Sequence, residues 1–207
     1  MTHPIETESY RRLGARIDLS HLPSGPRAVV ARVIHATADL GFANSLRLTE
    51  SAVDAGLHAL AADAPVVVDV EMVRAGIGGV PTECFLGRAR PLRRRAGQTL
   101  SAFAMQLAAT AHPDGAIFVV GCAPTALEQL LDLVEAGAVS PALVIGVPVG
   151  FVGAAESKDR LRRTAHLETI SNVGERGGSA VAAAIVNALV RLGGDDRPGE
   201  GSEAEDG

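Results

Sequence analysis

Two side chains a helical turn apart, Arg32 and His35, stand in the stretch Arg32-Val33-Ile34-His35-Ala36-Thr37-Ala38-Asp39, where a folded core has no use for either. An imidazole with an ordinary pKa of about 6.5 can give a proton to a substrate near neutral pH and take it back. A guanidinium beside it can hold an anionic group while that happens. The ordinary reading of one histidine on a helix surface is an exposed, idle one; the chemical reading rests on the pairing with Arg32. A second candidate is Arg176, in Gly174-Glu175-Arg176-Gly177-Gly178-Ser179. A glycine-rich lead into a helix offers free N–H groups to phosphate or carboxylate, although glycines also permit a tight turn or close packing.

These residues need elements to hold them. Ser24-Gly25-Pro26 reads as a helix start, with Ser24 as cap, and the helix runs to about Ala36. Val29, Val30, Val33 and Ile34 then share one face and Arg32 and His35 the other. Upstream, Tyr10, Leu13 and Ile17 fall at helical spacing. Apolar runs at 65–70, 82–86, 116–120, 142–147 and 167–171 read as strands, interleaved with helices capped by Thr49 and Thr99, one opened by Pro124, and one over 180–192. This rhythm predicts a three-layer α/β/α fold with a mainly parallel, roughly five-stranded sheet. Asp69, Glu71 and Arg74 follow a strand end, where open α/β sheets bind ligands, though an ordinary salt-bridged exit would look the same. Residues 1–8 are expected to be flexible, 9–193 to form one domain, and 194–207 to be a disordered acidic tail.

Composition narrows the function. The chain has 207 residues, 47% hydrophobic content and a net charge of −5. Its one Tyr, five Phe and absent Trp leave few surfaces for stacking bases, so nucleic acid is not the expected partner. No long apolar run or secretory layout appears, and the cytoplasm is the expected location. Cys84 and Cys122 have neither disulfide nor zinc spacing, and Cys84 reads as a small hydrophobe. Eighteen arginines stand against one lysine, and Arg88, Arg90, Arg93, Arg94 and Arg95 crowd together. They are either a solvated loop or guanidinium forks suited to a ligand with several carboxylates. Neither GxGxxG nor GxxxxGK[ST] occurs at a strand-to-helix turn.

The segments Arg32-Val33-Ile34-His35-Ala36, Asp69-Val70-Glu71-Met72-Val73, Ala123-Pro124-Thr125-Ala126-Leu127, Gly177-Gly178-Ser179-Ala180 and, most distinctively, the run from Pro148 to Asp159 (PVGFVGAAESKD) resemble the precorrin-8X methylmutases of cobalamin biosynthesis. The resemblance runs in order from about Ser9 to Leu192. It implies an isomerase that moves a methyl group from C11 to C12 of a contracted tetrapyrrole, giving hydrogenobyrinate, or cobyrinate from the cobalt form, with no cofactor and no metal ligands. It further implies a homodimer, His35 as proton donor/acceptor, Arg32 as a substrate contact, and Ser9, followed by the aromatic Tyr10, as another; Arg176 joins them as a further substrate contact. The chain departs from the family's pattern at Leu100 and Cys122, where an arginine and an asparagine are common, at Gly174-Glu175-Arg176, and in a short segment between Ile77 and Pro91. Two other readings stay open: a non-catalytic corrinoid carrier, and an unrelated nucleotide-binding α/β enzyme.

Overall fold

The computed structural model describes residues 3–195. In chain order the helices are α1 (Pro4–Gly14), α2 (Ser24–Thr37), α3 (Phe42–Ser45), α4 (Glu50–Ala61), α5 (Glu71–Gly76), α6 (Leu86–Ala89), α7 (Leu100–Ala111), α8 (Pro124–Glu135), α9 (Ala154–Arg163) and α10 (Ser179–Asp195). The strands are β1 (Leu46–Arg47), β2 (Val66–Val68), β3 (Thr82–Cys84), β4 (Ile117–Val120), β5 (Leu143–Gly146) and β6 (Thr169–Asn172), in one sheet of order β1-β6-β5-β4-β2-β3. Every pairing is parallel except that of β1 with β6. The expected three-layer fold is present with six strands rather than five. The extra one, β1, spans two residues, too few to carry an alternation that a sequence could display.

The central strands β2, β4 and β5 carry no polar side chain because helices cover both faces. Val66, Val68, Ile117, Val119, Leu143 and Ile145 join the core under α2, α4, α5 and α10. The intervening Val67, Phe118, Val120 and Val144 join the core under α6, α7, α8 and α9. Thr49 and Thr99 cap α4 and α7 as expected, each Oγ1 accepting from the N–H three residues on. Ser24 does not cap α2. The cap position belongs to Pro23, which makes no side-chain cap bond, and Ser24 is the first helical residue.

Both ends differ from expectation. α1 begins at Pro4, inside the segment expected to be flexible, because His3 Nδ1 accepts from the Ile5 N–H and a proline suits the first helical position. α10 continues through Asp195, past the expected boundary at 194. The rest of the expected acidic tail, 196–207, lies outside the described residues, as do Met1 and Thr2.

Candidate active site

α2 buries Val29, Val30, Val33 and Ile34 against the core, which turns Arg32 and His35 outward toward α1. There the Ser9 Oγ and His35 Nδ1 lie 2.8 Å apart. The Tyr10 ring stacks on the imidazole, centroids 5.0 Å apart and planes 13° from parallel. Serine and tyrosine, adjacent on α1, thus fix the histidine by one edge and one face. Once protonated, the ring can donate only outward from Nδ1, to Ser9, leaving Nε2–H as the proton available to a ligand.

Glu6, on the same face of α1 as Ser9 and Tyr10, accepts from Arg32 Nη1 at 2.7 Å and from Arg191 Nη1, on α10, at 2.6 Å. Burial pushes the Glu6 carboxyl up, but Arg191 and then Arg32 outweigh it and hold the group below its ordinary range. The Tyr10 hydroxyl, and after it the Glu6 carboxylate, raise the Arg32 guanidinium against the opposing effect of burial. Tyr10, Ala28, Ala31, Arg32, Arg191 and Leu192 contribute to a cavity of about 350 Å³ between the three helices. A larger cavity, about 680 Å³, lies between the ends of α4 and α10 and includes Leu57, Leu60, Val80 and Leu189. Its histidine, His58, is engaged through Nδ1 with the Asp54 carbonyl of its own helix, and no serine or aromatic ring fixes it as Ser9 and Tyr10 fix His35.

Ser9, Arg32 and His35 therefore form one cluster, and Arg176 stands apart from it. The Arg176 guanidinium pairs with Asp39, just beyond the end of α2, and lies over the Phe42 ring at 5.2 Å. The glycines before α10 serve close approach. Gly178 N–H donates to the Val147 carbonyl at 2.9 Å, and a Cβ on Gly177 would sit 2.2 Å from that same oxygen. One of the N–H groups expected to receive an anion is thus already spent on the residue that follows β5.

The strand-end candidates resolve differently. β3 lies on one side of β2 and β4 on the other, so the sheet's switch point opens at the end of β2, where a ligand would be expected. Asp69 fills it. Only 3% exposed, its carboxylate accepts from the N–H groups of Gly121, Cys122 and Ala123 at 2.8–3.0 Å. Burial pushes this carboxyl up and the three N–H groups pull it back. Asp69 is a latch between β2 and α8. Glu71 and Arg74 form an exposed pair at 3.4 Å. Cys84, pushed up to about 11 by burial, is a thiol rather than a thiolate. Arg88 pairs with Glu83 and covers the Phe85 ring, while Arg90, Arg93, Arg94 and Arg95 have no acidic partner among the described residues. Among those residues, too, no three His, Cys, Asp or Glu gather as a metal site.

Sequence reasoning missed Glu6, Arg191, Lys158 and Asn172. For Glu6 the signal was available: His3-Pro4 followed by an acid is a helix start, and a helix there puts Glu6, Ser9 and Tyr10 on one face. Arg191 carried none, since it acts on Glu6, 185 positions away, and Asn172 carried none, since its bond to the Arg176 carbonyl depends on how the chain turns between β6 and α10.

The profile of the precorrin-8X methylmutase family matches residues 4–192. The cobalt-precorrin-8 methylmutase of Methanothermobacter thermautotrophicus is 41% identical over 177 residues, covering 84% of each chain. The precorrin-8X methylmutase of Pseudomonas aeruginosa is 40% identical over 194 residues, 89% of this chain and 93% of that one. A crystal structure of the precorrin-8X methylmutase of Thermus thermophilus superposes with a TM-score of 0.81 at 35% identity, covering 92% of this chain and 96% of that one.

Proposed function

This chain belongs to the precorrin-8X methylmutase family, and from that premise we propose that His35 is its proton donor/acceptor, with Ser9, Arg32 and Arg176 holding the substrate. The chain is an isomerase of cobalamin biosynthesis that moves a methyl group within a tetrapyrrole. Neither the carrier nor the nucleotide-enzyme reading has support among its relatives. The observation that carries the site is the fixed imidazole, held by Ser9 at 2.8 Å and stacked on Tyr10.

In the shift from C11 to C12 one carbon–carbon bond breaks and another forms, and the product has the same atoms as the substrate. Such a step needs no external nucleophile. It is eased when the conjugated ring system becomes electron-poor, which a proton from imidazolium Nε2 achieves, and the same nitrogen recovers the proton afterwards. Ser9 accepts from Nδ1 in the charged state and keeps Nε2 aimed outward. Arg32 meets a peripheral carboxylate with the donors that Glu6 leaves available. Arg176, over Phe42, holds a second carboxylate in place of Asp39.

The reading includes a homodimer working in the cytoplasm, with α1 through α10 as one catalytic unit. Phe151 and Val152, 89% and 88% exposed after β5, give a second copy an apolar surface to cover. No helix among the described residues is long and apolar enough to cross a membrane.

The test is the absorbance spectrum of the protein mixed with precorrin-8 and with its cobalt form, for wild type and His35→Ala side by side. Wild type is expected to develop the corrin chromophore with at least one of them, and His35→Ala to bind that substrate without converting it. Conversion by His35→Ala at the wild-type rate would remove His35 from the mechanism. Binding of corrin by both proteins with conversion by neither would favour the carrier.

A further inference from the structure

Lys158 is the chain's one lysine and is 0% exposed. Packing on α9 does not ask for it, since its buried neighbours there are Ala154, Ser157 and Leu161. A buried ammonium is unfavourable unless its protons are bonded, and among the described residues no carboxylate pairs with this one. Its Nζ donates instead to the Arg176 carbonyl at 2.6 Å and to Asn172 Oδ1 at 3.3 Å. Asn172, fully buried at the end of β6, donates its own Nδ2 to the same Arg176 carbonyl at 2.7 Å.

One backbone carbonyl thus receives two donors from two different elements. On either side of it, Gly150 N–H reaches the Glu175 carbonyl at 3.1 Å and Gly178 N–H the Val147 carbonyl at 2.9 Å. The backbone of Arg176 is held, which sets the direction of its Cα–Cβ bond, and from there the side chain runs across Gly41 and over Phe42 toward Asp39 at the end of α2. A lysine suits this position better than one more arginine. Its compact head turns its protons toward a carbonyl and an amide without needing room for a planar fork. Burial first, and then the Arg162 guanidinium, push the Lys158 ammonium down to about 8.

We propose that Lys158 and Asn172 are positioning residues for the tetrapyrrole, clamping the Arg176 carbonyl so that the guanidinium meets a peripheral carboxylate already oriented. This rests on the reading of Arg176 as a substrate contact. Its advantage is preorganisation: the loop before α10 need not be ordered when the ligand arrives.

The experiment measures the dissociation constant of the corrin product, together with kcat and KM, for wild type, Arg176→Gln, Lys158→Met, Asn172→Asp and the Lys158→Met/Arg176→Gln double variant. Each single change is expected to weaken binding about tenfold, with KM rising in step and kcat within about twofold of wild type. The double variant is expected to bind no more weakly than Arg176→Gln alone, because both changes remove one interaction. Asn172→Asp removes the Nδ2 donor but gives Lys158 a counter-charge, so it decides the matter if Lys158→Met does not fold. If Arg176→Gln weakens binding while the clamp variants leave it unchanged, add to it, or lower kcat at constant KM, the clamp is overturned and the Arg176 reading stands. If Arg176→Gln leaves binding unchanged, the substrate reading of Arg176 fails and the clamp falls with it.

Discussion

Ser9 is the residue on which the state of the imidazole turns. Without its Oγ at Nδ1, Tyr10 still stacks on the ring, so the plane is kept but rotation within that plane is freed. A single hydrogen bond of this kind contributes about 1–1.5 kcal/mol, close to a factor of ten in rate when it acts only in the reacting state. Ser9→Ala is therefore expected to lower kcat about tenfold with a smaller rise in KM from the lost substrate contact, and to add little to the kcat loss in His35→Ala. Single-turnover spectra of the corrin chromophore check this. A rise in KM at constant kcat would instead make Ser9 a plain binding contact. Leu100 is a different kind of residue: it opens α7 with an apolar side chain and brings no cation to that position.

At the scale of elements, the site depends on how α1 docks on α2. α1 has no fully buried residue; Leu13 packs against the core, and the rest of its attachment is electrostatic at Glu6 and polar and aromatic at Ser9 and Tyr10. Glu6 is held below its ordinary value of 4.5, so its contribution is fully present above that value and is lost as pH falls through the depressed folded-state value. Tyr10 is the only tyrosine in a chain without tryptophan, and its emission reports the docking directly. That emission is expected to change as pH drops below about 4.5, whereas Glu6→Gln shows the displaced signal already at neutral pH and no step below it. An unchanged acid step in Glu6→Gln would exclude this carboxylate as the cause. The helix carrying Arg32 and His35 was legible because its four buried valine and isoleucine positions leave those two side chains nowhere to point but outward. The Asp69 latch was not, since a charged residue at a strand end looks the same whether it awaits a ligand or already holds three N–H groups. The Arg176 carbonyl was equally hidden, because its partners come from α9 and from β6.

For the whole molecule, the two helical layers have different roles: α2 and α10 carry the site with α1 outside them, and α6 to α9 support the far side of the sheet. Phe151 and Val152 leave the sheet's carboxyl edge apolar, and a second copy seated there would make the particle in solution twice the mass of the 21.2 kDa chain. Light scattering is expected to give that doubled mass, with Phe151→Asp shifting it toward the single chain; a single-chain mass for the wild type would remove the homodimer. The ion pair between Glu6 and Arg191 joins residues 185 positions apart. During synthesis at about 5–20 residues per second, the amino-terminal helix, already paired with Arg32, therefore waits roughly 10–40 s for the second arginine on Glu6. Through that interval the nascent chain already contains its histidine, serine and tyrosine, yet lacks the far arginine that completes the Glu6 pairing, so the cluster around His35 is complete only at the close of translation.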